Sequence, residues 1–228
     1  MPTPERITIR TILNELLLMA NLEKGIGYTI KALALFPGRA IREYLFENRD
    51  RMTKPFSFLV LTVAVATFVT TQLLIGDEGL WQEVKKDLEG LGLSAEAAVL
   101  LKWFSTVMNK YMNLFFISSL PFLALGTYLF FGEKRYNFAE HLVINSYIYS
   151  YQTVLFIIFA PFVQMANWVG FLFVSALTAY TFFAYIRTFE QRFWPGVWKS
   201  IGVYFLSQTV SSFVIAIIVA IAWLWLKL

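Results

Sequence analysis

His141, Asn145, Tyr149 and Gln152 are the polar side chains whose spacing could do chemistry in this chain. They lie four, eight and eleven residues apart from the first, and at about 100° per residue they share one narrow stripe of a helix. Residues 141–163 contain no Asp, Glu, Lys or Arg, so the stripe belongs to a stretch that can enter a bilayer. A polar group in hydrocarbon is costly unless it is paired. One reading is a polar lining, with His141 as a proton-accepting group at its mouth beside Glu140. The other is hydrogen bonding between helices that fixes their packing, at about 0.6 kcal/mol per bond. Packing is the simpler of the two.

Other chemistry has little to stand on. There is no cysteine and one histidine, which removes disulfides, thiol catalysis and thiolate metal sites. Phosphate-loop, G-x-S-x-G and H-E-x-x-H patterns are missing. Arg135 and His141 have an Arg-x5-His spacing known from ribonucleases, but the spacing arises easily by chance and residues 133–140 are too short to hold a nuclease domain. Neither enzymatic activity nor a cofactor is expected. The apolar runs hold no carboxylate, which argues against ion-coupled transport.

The elements that must position the stripe follow from hydropathy. The chain has 228 residues, 58% hydrophobic and 15% charged, whereas soluble domains sit near half and a quarter. The apolar surplus is concentrated in long runs. The expected fold is all-α, a polytopic membrane protein with five transmembrane helices at about residues 56–75, 111–131, 141–163, 168–186 and 201–226. Residues 77–110 form a polar extracytoplasmic segment. Residues 164–167 make a very short turn, so the third and fourth spans form an antiparallel hairpin, and residues 187–199 read as an interfacial loop holding Trp194, Pro195 and Trp198. Pro121 and Pro161 fall inside spans, where proline kinks a helix. Residues 207–220 and 62–70 place small and hydroxyl residues at steps of four, a spacing that suits close helix packing.

Residues 1–55 are expected to form cytoplasmic, interfacial or re-entrant helices. Thr3, Pro4 and Glu5 resemble a helix start, and Ile9, Leu13, Leu16, Leu17 and Ala20 give that helix an apolar face ending at Gly25 and Gly27. Residues 26–36 are apolar but too short to span, Pro37 and Gly38 break them, and residues 39–51 read as a basic helix with Ile41, Tyr44 and Leu45 on one side. A helical pair docked on the spans is the alternative to a re-entrant hairpin. Residues 1–23 carry charge throughout and do not read as a signal peptide, so the first span is expected to direct insertion.

The formal net charge is +4. Because the basic residues flank apolar runs, orientation accounts for them better than nucleic acid does. With the N-terminus inside, the inner segments hold fourteen Lys and Arg and the outer segments five. The positive-inside rule then places the N-terminus in the cytoplasm and the C-terminus outside. Arg39, Arg42, Arg49, Arg51 and Lys54 form a cluster that would attract anionic lipid headgroups, at roughly 1 kcal/mol per charge. The same residues serve as orientation signals. Anionic lipids, other membrane proteins or further copies of the chain are the expected partners.

The run from Leu33 to Leu45, with Pro37, Gly38, Arg39, Arg42 and Tyr44, then Asn48, Arg49, Pro55 and Phe56, resembles the N-terminal signature of an uncharacterised bacterial membrane family, domain of unknown function 3667. Residues 137–143, including Glu140 and His141, resemble a second signature of that family. The resemblance implies a helix, a Pro-Gly-Arg turn, a second helix and a proline opening the first span; it implies no activity. Many members begin with a Cys-x-x-Cys zinc ribbon, which a chain without cysteine cannot form. The five-span plan is also loosely similar in architecture to the Yip1 group of membrane-trafficking proteins.

The topology has a direct check, since no native thiol competes for label. Single cysteines at Ala20→Cys, Gly90→Cys and Leu228→Cys should label with a membrane-impermeant maleimide from the inside, outside and outside, respectively. Labelling of position 20 from outside would reverse the orientation.

Overall fold

The computed structural model describes residues 25–71, 117–132, 136–163 and 167–227, with isolated positions between 103 and 111. Seven helices are described: α1 (Ile26–Leu35), α2 (Pro37–Phe46), α3 (Pro55–Val69), α4 (Leu120–Phe130), α5 (Phe138–Val163), α6 (Asn167–Thr188) and α7 (Phe193–Lys227). Three of them, α5, α6 and α7, are long and apolar enough to cross a membrane, while α3 and α4 are shorter apolar helices. The described residues are all-helical and compatible with a membrane location. The expected helix before Gly25, the 77–110 segment and the first part of the second span lie outside the described residues.

Burial follows the logic of a bilayer rather than of water. Asn145, Ser146, Ser150 and Thr127 are fully or almost fully buried, whereas Phe171, Phe205 and Phe213 are at least 70% exposed. Polar groups inside and large apolar ones outside is the arrangement hydrocarbon surroundings favour.

The α5–α6 hairpin is antiparallel along its length. Phe159 meets Phe173, Gln152 meets Thr181 and Asn145 meets Tyr185, each step toward the start of α5 matching a step toward the end of α6. Helix α3 runs parallel to α5: the Ser146 hydroxyl donates to the Pro55 carbonyl at 2.9 Å, and farther along Val63 and Ala66 share a cavity wall with Thr153 and Phe156. Helix α4 packs on α7 through small residues. A side chain at Gly126 would press on Val203 and Ser207, and one at Gly202 would overlap the Phe130 ring.

Two boundaries differ from the hydropathy reading. Helix α7 starts at Phe193 and the connection from α6 is only 189–192, so Trp194, Pro195 and Trp198 belong to the helix and not to a loop over 187–199. Pro195 fits because a first helical turn needs no N–H partner there. The basic helix ends at Phe46, not near Arg51. Pro121 lies in the first turn of α4, and a turn at Ser119 separates that helix from helical residues 117 and 118.

Helices α1 and α2 dock on α5 and α6. Pro37 occupies the first turn of α2, and Gly38 lies so close to α6 that a Cβ there would overlap the Arg187 backbone. The Tyr180 hydroxyl donates to the Leu33 carbonyl at 3.1 Å. Leu33 therefore lies beside Tyr180 and Gly38 beside Arg187, and the chain climbs along α6 by roughly 10 Å between them. Thr29 and Thr53 tie the return: the Thr53 N–H donates to the Thr29 hydroxyl at 2.8 Å, and the Tyr147 hydroxyl donates to the Thr53 carbonyl at 2.8 Å. Gly25, at φ 100°, turns the chain into α1.

Gly38→Ala tests this docking by sign. Helix propensity alone would stabilise the protein by about 1 kcal/mol, but overlap with Arg187 should destabilise it by about 1–3 kcal/mol instead. A lower Tm in detergent and faster proteolysis within residues 26–54 are expected; a raised Tm would refute the close approach.

Candidate functional site

The polar stripe of α5 forms two separate environments. At its first end Asn145 is the hub. Its amide donates to the Thr127 hydroxyl and to the His141 carbonyl, both at 2.8 Å, and its side-chain oxygen accepts the Tyr185 hydroxyl at 2.6 Å. His141 Nδ1 lies 3.0 Å from the same Thr127 hydroxyl. One side chain thus joins α4, α5 and α6 by hydrogen bonds that are 99% or more shielded from solvent at Thr127, His141 and Asn145. In a low-dielectric interior such a satisfied network is specific, because losing one member strands the others.

The His141 ring sits in an aromatic cage. Phe189 stacks on it at 5.3 Å between centroids, and the Tyr128 and Tyr136 rings meet it edge-on at 5.6 and 6.0 Å. Its Nε2 is buried with no hydrogen-bond partner. Asn145, Tyr149 and Gln152 line one cavity, and His141 is not among its lining residues.

That cavity is the second environment, about 310 Å³ in volume, walled by α5, α6, α7 and the start of α4. Gln152 donates to the Thr181 hydroxyl across it, and Tyr149 reaches Ser119. Thr178, Ser200 and Ser207 add hydroxyls to the wall. Thr178 and Ser200 donate within their own helices, to the Val174 and Gly196 carbonyls, and Ser207 donates to the Val203 carbonyl at 2.6 Å with the Phe122 carbonyl of α4 at 3.3 Å. The wall thus offers oxygen acceptors, and its lining contains no charged side chain.

Glu140 caps α5. Its carboxylate accepts the Asn137 N–H at 2.6 Å, while the Asn137 side-chain oxygen accepts the Glu140 N–H at 2.9 Å. This reciprocal pair is a capping box, here built on Asn and Glu. It gives the Glu140 carboxylate a structural role at the start of α5.

At the same end of the bundle, Arg42 clasps α6. Its guanidinium donates to the Arg187 carbonyl and, at 3.3 Å, to the Thr188 carbonyl, and its Nε lies 3.5 Å from the Glu190 carboxylate. A helix C-terminus leaves carbonyls unsatisfied and carries partial negative charge, so a cation there is favoured. Tyr44 is buried edge-on against Tyr147 at 5.2 Å. Arg49 donates to the Leu45 carbonyl at 3.3 Å. Pro55 opens α3 and its carbonyl takes the Ser146 hydroxyl. Arg39 remains on the surface beside Pro37 and Gly38.

Thr127, Thr181, Tyr185 and Arg187 were not singled out by sequence reasoning. Thr178, Thr181 and Tyr185 recur at steps of three and four on α6, a periodic polar signal as regular as that on α5. Thr127 gives no such signal, being one hydroxyl in an apolar helix. No group of three or more His, Asp or Glu that could hold a metal occurs among the described residues.

Residues 23–67 match the profile of a family described as protein of unknown function (DUF3667). The match supports the N-terminal resemblance and ends inside α3, so the stripe, its cavity and the Asn137–Glu140 box lie outside it. No curated protein and no solved structure matches the chain.

Asn145→Leu should cost about 1–3 kcal/mol, because it strands the buried Tyr185 hydroxyl and removes the donor that joins α5 to Thr127. Thr178→Val, which removes a hydroxyl bonded only within its own helix, should change stability little. Both are read by thermal unfolding in one detergent; equal losses would mean that Asn145 is not a hub.

Proposed function

We propose that the chain is a non-enzymatic scaffold or envelope factor of the bacterial inner membrane, with a cytoplasmic N-terminus, which binds anionic lipid or partner proteins through its N-terminal hairpin. The observation that carries this reading is the docking of α1 and α2. Arg42, Gly38, Leu33, Thr53 and Tyr44 all contribute specific contacts to α5 and α6. A hairpin held this firmly is a fixed surface and not a tether. Among its other basic residues, Lys31, Arg39 and Arg51 remain exposed. Trp194 and Trp198, in the first turns of α7, are about 70% exposed. Exposed cations and exposed tryptophans are both favoured at a membrane–water interface.

The cavity along Asn145, Tyr149 and Gln152 favours a second reading, an oligomeric pore for uncharged solute. Its uncharged, acceptor-rich wall suits that class of cargo, and the missing carboxylate fits a pore better than a coupled transporter. Liposome swelling assays separate the two. A pore makes purified-protein liposomes permeable to small polyols and loses this in Gln152→Leu; tight liposomes at varied pH and voltage leave the scaffold reading alone.

For the scaffold reading, Arg39→Glu combined with Arg51→Glu should weaken binding to vesicles containing phosphatidylglycerol. Removing one charge is worth roughly 1 kcal/mol, about fivefold, at low salt. Binding unchanged by the double reversal, together with unchanged recovery of co-purifying proteins, would sink it.

A further inference from the structure

We propose that the cleft between the Pro37–Gly38 turn and the end of α6 is a discrete site for one anionic phospholipid, with Arg39 and Arg187 holding its phosphate. This rests on the scaffold reading and deepens it from a charged surface to a stoichiometric site. The cleft has a volume of about 410 Å³ and is lined by Leu35, Phe36, Arg39, Arg42, Phe183 and Arg187, with the turn itself as its floor.

The charge is in excess and uncommitted. Of the three arginines, Arg42 is spent on the α6 carbonyls and on Glu190. Arg39 and Arg187 are exposed and have no carboxylate partner among the described residues. Guanidinium groups match phosphate oxygens in a forked geometry and hold them more strongly than neutral donors do. The start of α2 opens at the same place, and no side chain caps it, so its partial positive charge adds to the arginines.

The apolar part of the cleft is what selects a lipid over a free phosphate. Phe183 lies one turn before Arg187 on the same face of α6, and the Arg187 guanidinium sits 5.4 Å from its ring. One turn is about 5.4 Å along the axis, so Phe183 lies that much deeper than the arginine. Leu35 and Phe36, 54% and 64% exposed, lie between the Leu33–Tyr180 and Gly38–Arg187 contacts. The cleft is therefore cationic at the boundary and apolar below it, the same order as phosphate and acyl chains in a phospholipid.

The test is native mass spectrometry of the full chain purified with a mixture of phosphatidylglycerol and phosphatidylcholine. The expected result is one phosphatidylglycerol retained per chain in preference to phosphatidylcholine. Arg39→Gln and Arg187→Gln should each lower retention by about tenfold, the loss expected for one charge-assisted contact, with Tm unchanged. Lys54→Gln, which does not line the cleft, should leave retention intact while weakening overall adhesion to anionic vesicles. Glycerol phosphate, which has the anion without the chains, should fail to displace the lipid. No retained phosphatidylglycerol, or retention in both arginine variants unchanged from that of the unsubstituted chain, would overturn the site even if vesicle adhesion still depended on charge. Displacement by glycerol phosphate would overturn the lipid as its ligand. Adhesion indifferent to Lys54→Gln, with retention still lost in the arginine variants, would instead remove the broader charged-surface reading and leave the site.

Discussion

The contact between Arg42 and the end of α6 is the charged tie between the N-terminal hairpin and the long helices on which it packs. Helix α6 ends at Thr188 with carbonyls that have no partner in their own helix. Arg42 reaches two of them from α2 and holds Glu190 as well. It can do so only because Gly38 lets the α2 backbone approach Arg187 with no side chain between them. Pro37, Gly38 and Arg42 are thus parts of one device. The proline starts the helix, the glycine sets its distance, and the arginine turns proximity into hydrogen bonds. With α2 held there, Ile41, Tyr44 and Leu45 are pressed into the interior and Tyr44 meets Tyr147.

The second constraint is the Asn145 hub, and the two are coupled through the same helices. Tyr185 donates to Asn145 two and three residues before the carbonyls that Arg42 takes. Phe189, just beyond them, stacks on both His141 and Phe131. The last turn of α6 is therefore gripped from the hairpin on one side and from α4 and α5 on the other. Such crossing contacts matter more in a membrane than in water. Association of helices in lipid draws little from hydrophobic burial, and falls to packing and hydrogen bonds. Small residues at Gly126 and Gly202 supply the packing between α4 and α7, and Thr127, Asn145, Gln152 and Tyr185 supply the bonds.

What the sequence made legible follows the range of the signal. The α5–α6 hairpin is written in two apolar runs around four residues, and the helices lie where hydropathy puts them. The Pro37–Gly38 break and the buried face of α2 were legible for a similar local reason. The α7 start was not: Arg192, Pro195, Gly196 and Lys199 lower the local hydropathy, although a proline in a first turn leaves the helix intact. Helical period put His141 and Gln152 on one stripe, yet their surroundings differ because neighbouring helices supply Phe189 to one and Thr181 to the other. No pattern within residues 141–152 could report that. Arg42 was legible only as one charge in a cluster of five. Its partners lie 145 and 146 residues away, and only the folded chain separates it from Arg39.

That separation decides how the basic cluster must be understood. If all its members were equivalent, the hairpin would be a diffuse patch whose effect scales with charge number and fades with salt. They are not equivalent. Arg42 is committed to backbone carbonyls, Arg49 reaches back to Leu45, and Arg51 pairs with Glu43 at 3.1 Å while lying over the Tyr28 ring. Arg39 is the cluster member left facing the cleft, and the residue that joins it there, Arg187, comes from α6, far outside the cluster in sequence. The fold therefore exchanges most of a linear basic signal for internal contacts and rebuilds a smaller one across two elements. A signal built that way has a defined geometry, with the apolar side chains of Leu35, Phe36 and Phe183 lining the same cleft.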